Sequence, residues 1–490
     1  MTTEKSKVRK KNSPWFYIKL FAEKEFTDTF SRKSVLVILS GIAIYLGIIT
    51  IATLDFFSNI SFQARINPQS AGGADPNQGV LAPLFNNSFI LFLIIFPLLA
   101  AAAVVREREQ GMYDIVSLSG GERNLLAGKV IFYWLFGMLI ILMPFFNLLP
   151  FFATGGFIDG LYAVNLLIHA STLALVWTLL FLFISRVSPN SSSAIYIAGG
   201  ITVALLSLSF LESIITSYRG WLIFKSIIEI TPLGLFNHAL EGTLKPATLL
   251  LWLTAAFFTG SLLKGKRESA LASLIVGITF TVLVSRVMLP EYDLTFNKAN
   301  SLSKRTTALL DNLLLKSKED YGREKVYVFS IISYQGPKWE TAQELIELFK
   351  RRYRRIKFVL VEPEERDLEL QNFKNLPPEL IQKIENAEYG KVIFYSPSKP
   401  QNSKSQNSKY SIDETLSIDE NVFARKIYRV ITGKEIKAPL QESKPESKPY
   451  DLSGLRRTIV ILWEILFPAL LVASLVFLKN RIQKTREVVP

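Results

Sequence analysis

The chain has 490 residues, 49% of them hydrophobic, with 35 Phe and only 20% charged, a composition that points to an integral membrane protein rather than a soluble one. It contains no cysteine, which excludes disulfides, thiolate catalysis, cysteine zinc sites and iron–sulfur clusters. The net charge of +14 gathers at the ends of apolar runs, in MTTEKSKVRKKNS, KGKRES and KNRIQKTR, as cytosolic flanks do. No basic cluster sits in a recognisable nucleic-acid module, so no nucleic-acid partner is expected.

In chain order, residues 14–31 place Trp15, Ile18, Phe21, Ala22 and Phe26 among Lys19, Glu23, Lys24 and Asp28. Such a segment is amphipathic and too polar to cross a bilayer. It is predicted to be an interfacial helix with Trp15, Phe16 and Tyr17 at headgroup level. Residues 1–33 form this cytosolic tail and elbow; their mostly polar start argues against a cleavable signal. Residues 34–54 are long enough for the first crossing, since about 20 helical residues cover the hydrocarbon core. Residues 85–105 return, with Pro97 placed to kink them.

A polar interruption follows at 106–129, REREQGMYDIVSLSGGERNLLAGK. Its charges bar it from hydrocarbon, so it is expected to face water. Met112, Ile115, Val116 and Leu118 recur at helical spacing before Gly120 and Gly121, which predicts two short amphipathic helices joined by a turn. That arrangement suits docking to another protein.

Residues 130–152, interrupted by Pro144, Asn147 and Pro150, cross outward. Residues 165–185 return, 194–215 leave, and 247–263 enter. Between the last two lies an apolar stretch broken by Gly220, Pro232, Gly234, Gly242 and Pro246. It reads either as two half-helices re-entering the outer leaflet or as an outside amphipathic hairpin. Residues 270–289 leave again, and 458–478 span once more. The expected fold is an α-helical polytopic membrane protein of about eight crossings with both termini cytosolic. Residues 34–268 make six spans and 269–290 the seventh. A small extracytoplasmic α/β domain fills 291–457, and 458–490 are the eighth span with a basic tail.

Within that domain, strands are predicted at 325–332, 356–361 and 391–395, and helices at 341–355 and 422–431. The first strand, helix and second strand should form a parallel unit. The low-complexity stretches 399–420 and 437–450 are expected to be mobile loops. The basic run KRRYRRIK at 350–357 either ends a solvated helix or binds an anionic surface. In the spans, Arg286 and Glu464 either pair across the last two crossings, or Arg286 reaches for headgroups while Glu464 is protonated or faces another helix.

Glu107, Glu109, Gly111 and the segment DIVSLSGGERNLLAGK resemble the cytosolic loop of ABC-2-type permeases, where an E-x-E-x-G element leads to a leucine-rich helix and a closing Gly-Lys. The stretch EITPLGLFNHALEGTLKPATLLLWL is similar to their re-entrant region, which brings in Pro232, His238 and Gly242. From Tyr292, YDLTFNKANSLSKRTTALLDNLL followed by VYVFSII resembles the gliding-motility-type auxiliary component of ABC systems. The resemblance implies a bacterial inner-membrane permease subunit working as a homodimer. Glu107, Glu109, Gly111, Asp114, Leu118, Gly128 and Lys129 would then form the loop coupling it to a cytosolic ABC ATPase subunit. Reversal of Glu107 and Glu109 to Lys is expected to uncouple that ATPase and leave the membrane fold intact. No GxxxxGK(S/T) loop is present, so the chain binds no cofactor of its own and ATP and Mg belong to the partner. The two histidines, His169 and His238, stand far apart, and no carboxylate pair suggests an enzyme. A transporter working on an unknown substrate is therefore expected, with residues 291–457 meeting an envelope protein or polymer. The alternative is a non-transporting mechanical or scaffold component of a cell-envelope or motility machine.

Overall fold

The computed structural model describes residues 14–66, 76–118, 121–210, 224, 227–287, 292–293, 301–303, 306–311, 313, 326–333, 336, 338–353, 355–362, 376–397, 410–436 and 450–487, without the side chains at 64–66, 78, 283–287, 340, 351 and 486–487. Two compact units emerge. One comprises Met1–Ser209, Ile230–Leu289 and Lys448–Pro490, and the other Phe210–Glu229 and Pro290–Ser447.

The first unit is helical. Its elements are α1 (Pro14–Phe30), α2 (Lys33–Ile66), α3 (Ala82–Ala100), α4 (Ala103–Glu109), α5 (Met112–Leu118), α6 (Glu122–Ile141), α7 (Met143–Asn147) and α8 (Leu149–Ala153). Then come α9 (Gly160–Val187), α10 (Ser191–Ser209), α11 (Pro232–Leu240), α12 (Pro246–Leu263) and α13 (Arg267–Val287). Seven helices among the described residues are long and apolar enough to cross a membrane, which makes this a multi-pass membrane protein in composition and architecture. The seventh expected crossing forms α13, which is not counted among those seven; its described side chains stop at Val282.

Proline sets the breaks on the way out. Pro144 and Pro150 each sit in the first turn of a five-residue helix, where a missing N–H costs nothing, so the expected span 130–152 is really α6 followed by two short pieces. Aromatic packing fills the middle of the bundle. Trp177 stacks on Phe181 at 5.3 Å between ring centres, and Phe236 of α11 stacks on Phe89 of α3 at 4.3 Å.

The second unit carries a four-stranded sheet: β1 (Val326–Ile331), β2 (Ile356–Val361), β3 (Val392–Ser396) and β4 (Ser411–Thr415), in the order β2-β1-β3-β4. β1 and β2 are parallel, with Val328 opposite Phe358, and are joined through α14 (Trp339–Arg352), as the strand-helix-strand reading expects. β3 runs antiparallel to both β1 and β4. Alternation sorts the side chains. Val328, Val392 and Phe394 pack with Phe349 of α14 and with Phe423 and Ile427 of α16 (Glu420–Thr432). Phe329, Ile331, Ile393 and Tyr395 face Leu380 and Ile384 of α15 (Pro378–Glu385).

Two expectations need correction here. The low-complexity stretch 399–420 is not wholly a loop, because Ser411–Thr415 forms the edge strand β4, tied down by Lys426 on Asp413 at 2.8 Å and Lys391 on Glu414 at 3.2 Å. The basic run 350–357 is not simply solvated either. Tyr353 is buried in the core, and Arg352 pairs with Asp311 at 2.7 Å, holding that carboxyl below its usual range. Residues 401–409, most of 437–450 and the first half of the broken stretch before Pro232, including Gly220, lie outside the described residues.

Phe423 is the hinge of this core, lying 5.2 Å from Phe394 and 6.0 Å from Phe349 between ring centres. Phe423→Ala should destabilise the unit by about 3–5 kcal/mol, read as faster hydrogen exchange across β1 and β3 while α9 and α12 exchange as before.

Candidate functional site

The interruption at 106–129 folds differently from its sequence reading. Its first charges continue the preceding helix as the end of α4, and the chain turns at Gly111 with φ +71°, a left-handed conformation that glycine adopts without strain. The separate helix α5 follows. The expected second helix is the first turn of α6, capped by Gly121; Gly120 lies outside the described residues.

Lys129, about two turns into α6, is fully buried. Its Nζ pairs with Glu25 Oε1 of α1, lies 3.2 Å from Glu107 Oε2 of α4, and donates to the Ala103 carbonyl at 3.1 Å. Lys24 reaches Glu107 Oε1 at 2.5 Å from the other side. Buried Glu25, Glu107 and Lys129 are thus neutralised together with the partly exposed Lys24, which answers the cost of burying any of the three alone. Burial, helped by the nearby Glu107 charge, pushes the Glu25 carboxyl above its ordinary range against the pull of Lys129.

Gly128 makes this closeness possible. A Cβ there would lie 2.6 Å from Phe21 Cβ and 2.8 Å from the Ile18 carbonyl oxygen, so α1 crosses α6 at backbone contact. Glu107, Gly128 and Lys129 are therefore internal to the unit and cannot touch a partner. That corrects the expectation that the whole interruption faces water, and with it the expected harmlessness of Glu107 reversal. The reason is long-range neutralisation by α1.

A second network fixes α4 to the junction of α9 and α10. Arg108 donates to the carbonyls of Arg186, at 3.0 Å, and Ser188, at the C-terminal end of α9, while Ser185 Oγ accepts from the amides of Val104 and Val105. Exposed Glu109 accepts from the Ser191 amide at 2.9 Å and its hydroxyl at 2.6 Å. A cation on one helix's C-terminus and an anion on the next helix's N-terminus each suit the local dipole. Arg186 extends the network to Glu122 at 2.7 Å and to the Leu263 carbonyl ending α12. Tyr113 donates to Glu122 at 2.6 Å, and burial together with that bond raises its phenol to about 12.

Above this anchored base, α5 has no buried residue. Ile115 is 71% and Leu118 90% exposed, with Met112 and Asp114 also at the surface. Exposed apolar side chains on one short helix are a candidate contact for another protein.

Elsewhere, Pro232 opens α11, Thr231 caps it by accepting from the Gly234 amide at 3.1 Å, and Gly242 turns the chain after it with φ +75°. Tyr162 donates to the Leu240 carbonyl at 2.5 Å. The two histidines, far apart in sequence, both face the α9–α11 packing: His169 Nδ1 lies 2.9 Å from the Asn165 carbonyl, and His238 lies 3.5 Å from Glu241. No group of three metal-ligating side chains occurs among the described residues. Glu464, on α17 (Gly454–Glu487), accepts from Asn147 at 2.5 Å; the Arg286 side chain lies outside the described residues.

Sequence reasoning missed Lys24, Glu25, Asn147, Arg186 and Ser191. One signal was present: Glu25 stands among Phe21, Ala22 and Phe26 on the apolar side of α1, where a charge needs a partner. Compared with known proteins, the sequence matches no family model and no curated relative.

Lys129→Met should leave Glu25 without its buried partner, and Glu107 with Lys24 alone, and cost about 3–5 kcal/mol, seen as a lowered unfolding temperature in detergent. Gly128→Ala should lower it too, by prising α1 from α6. Glu107→Lys should misassemble, whereas Glu109→Lys should purify as a folded protein.

Proposed function

We propose that this chain is the membrane subunit of an ABC-2-type transport machine, driven by a separate cytosolic ATPase that binds ATP and Mg. The single observation supporting this reading is the exposed helix α5 mounted on a base locked to three other parts of the bundle. A partner pushing on Met112, Ile115 and Leu118 would move α4, and through the buried charges it would move α1 and α6 with it. Chemistry of its own is not needed for that role.

In this reading the end carrying α5, the α9–α10 turn and the α12–α13 turn faces the cytosol of a bacterial cell. The chain crosses the inner membrane eight times with both termini inside and works as a homodimer. The α/β unit between α13 and α17 then lies outside, where it acts on substrate or meets an envelope protein or polymer.

The test is co-expression with an ABC ATPase sought in the reading frames that neighbour this gene. Ile115→Asp with Leu118→Asp removes two apolar contacts worth about 1.5–3 kcal/mol each, so ATPase binding should weaken on the order of a hundredfold with the unfolding temperature unchanged. Undiminished complex formation and ATP turnover would remove α5 from the mechanism.

A further inference from the structure

A cavity of about 830 Å³ lies between α2 and α17, within the range of pockets that hold small ligands. Its walls include Ser40, Gly47, Ile48, Glu464, Pro468 and Ala473. It opens sideways, since Ile44, Ile48 and Ile465 on its rim are exposed. From Ser40 to Ile51 the α2 wall runs about 17 Å, enough to seat an extended aliphatic chain.

The one charged group on these walls is Glu464, 6% exposed. Its Oε2 accepts from Asn147 and presses on α2, where a Cβ at Gly47 would come within 2.8 Å of it. Its Oε1 is buried and accepts no hydrogen bond, and Asn147 Oδ1 beside it is equally unpartnered. Pro468 stands four residues on inside α17 and has no N–H to give the Glu464 carbonyl. Two buried side-chain acceptors therefore stand without a donor, one of them, Glu464 Oε1, on a residue of the cleft wall. Buried acceptors left so are costly, and a buried carboxylate calls for a cation.

We propose that the α2–α17 cleft binds an aliphatic amphiphile through a primary ammonium group. An ammonium supplies N–H donors and one positive charge, which answer the unpartnered oxygen and the charge of the Glu464 carboxylate. The hydrocarbon chain lies along Ile48 and Ala473. The site stands independently of the ATPase reading, because binding needs neither nucleotide nor partner.

The absence of cysteine makes the test direct: Ala473→Cys introduces a single thiol for a fluorophore in the cleft. In phosphatidylcholine nanodiscs, hexadecylamine should give a saturable fluorescence change, with hexadecanol at least tenfold weaker. Glu464→Gln, which keeps the shape and the Asn147 contact, should lose at least tenfold for the amine and little for the alcohol. Nanodiscs containing phosphatidylethanolamine decide the source: competition assigns a membrane lipid, and unaltered amine binding assigns a free amine. Equal affinities for amine and alcohol would overturn the proposal. So would an oxidant-induced dimer of the unlabelled Ala473→Cys protein, which would put a second copy in the cleft. If Glu464→Gln fails to fold, Ser40→Phe, filling the cleft away from Asn147, decides; undiminished amine binding in that variant overturns it.

Discussion

The neutralisation of Lys129 is the constraint on which one end of the helical unit depends. Its partners come from α1 and α4, so no two of the three helices can close the pocket without the third. Hydrophobic contact would let α1 slide on α6; a buried ion cluster does not, because a displaced carboxylate is left unpaired in a dry place. Gly128 adds the steric half of the same restriction. A helix too polar to cross a membrane thus becomes an inseparable part of the bundle.

Rigidity at that base gives meaning to what is exposed above it. Arg108 and Glu109 fasten α4 to two helix ends of opposite polarity, whereas α5, two residues further along, buries nothing. The positive φ at Gly111 separates them. A contact surface built on Ile115 and Leu118 can therefore evolve without disturbing the packing below, while Tyr113 and Met112 of the same helix keep it tied to Glu122 and Lys24.

The sequence was readable where the physics is local. Runs of twenty apolar residues announced the crossings, and period-2 and period-3.6 patterns announced β1, β2, β3, α14 and α16 within a few residues. It was opaque where the deciding partner is remote. Nothing near Lys129 in the chain indicates that Glu25 will neutralise it, so Glu107 and Lys129 looked like solvent-facing charges. β4 was hidden by composition: SIDET sits amid serine, asparagine and lysine, and only pairing with β3 makes it a strand. α15 offers just two deep apolar anchors, Leu380 and Ile384, too few to stand out from its polar neighbours. The α9–α11 histidines were separately visible but not as neighbours, for the same reason of sequence distance.

α2 is 34 residues long, about 51 Å of helix, against a hydrocarbon core of about 30 Å. The excess of about 20 Å must be tilted away or project beyond the lipid. Composition favours projection: the apolar run ends near Leu54, and Asp55 beyond it binds Arg457 of α17 at 2.9 Å while Ser58 accepts from the Leu452 amide. The first turn of α17 therefore leaves the bilayer fastened to α2, and α2 runs on past it to Ile66 as a single projecting post, rooted in the membrane and braced at its base by that ion pair.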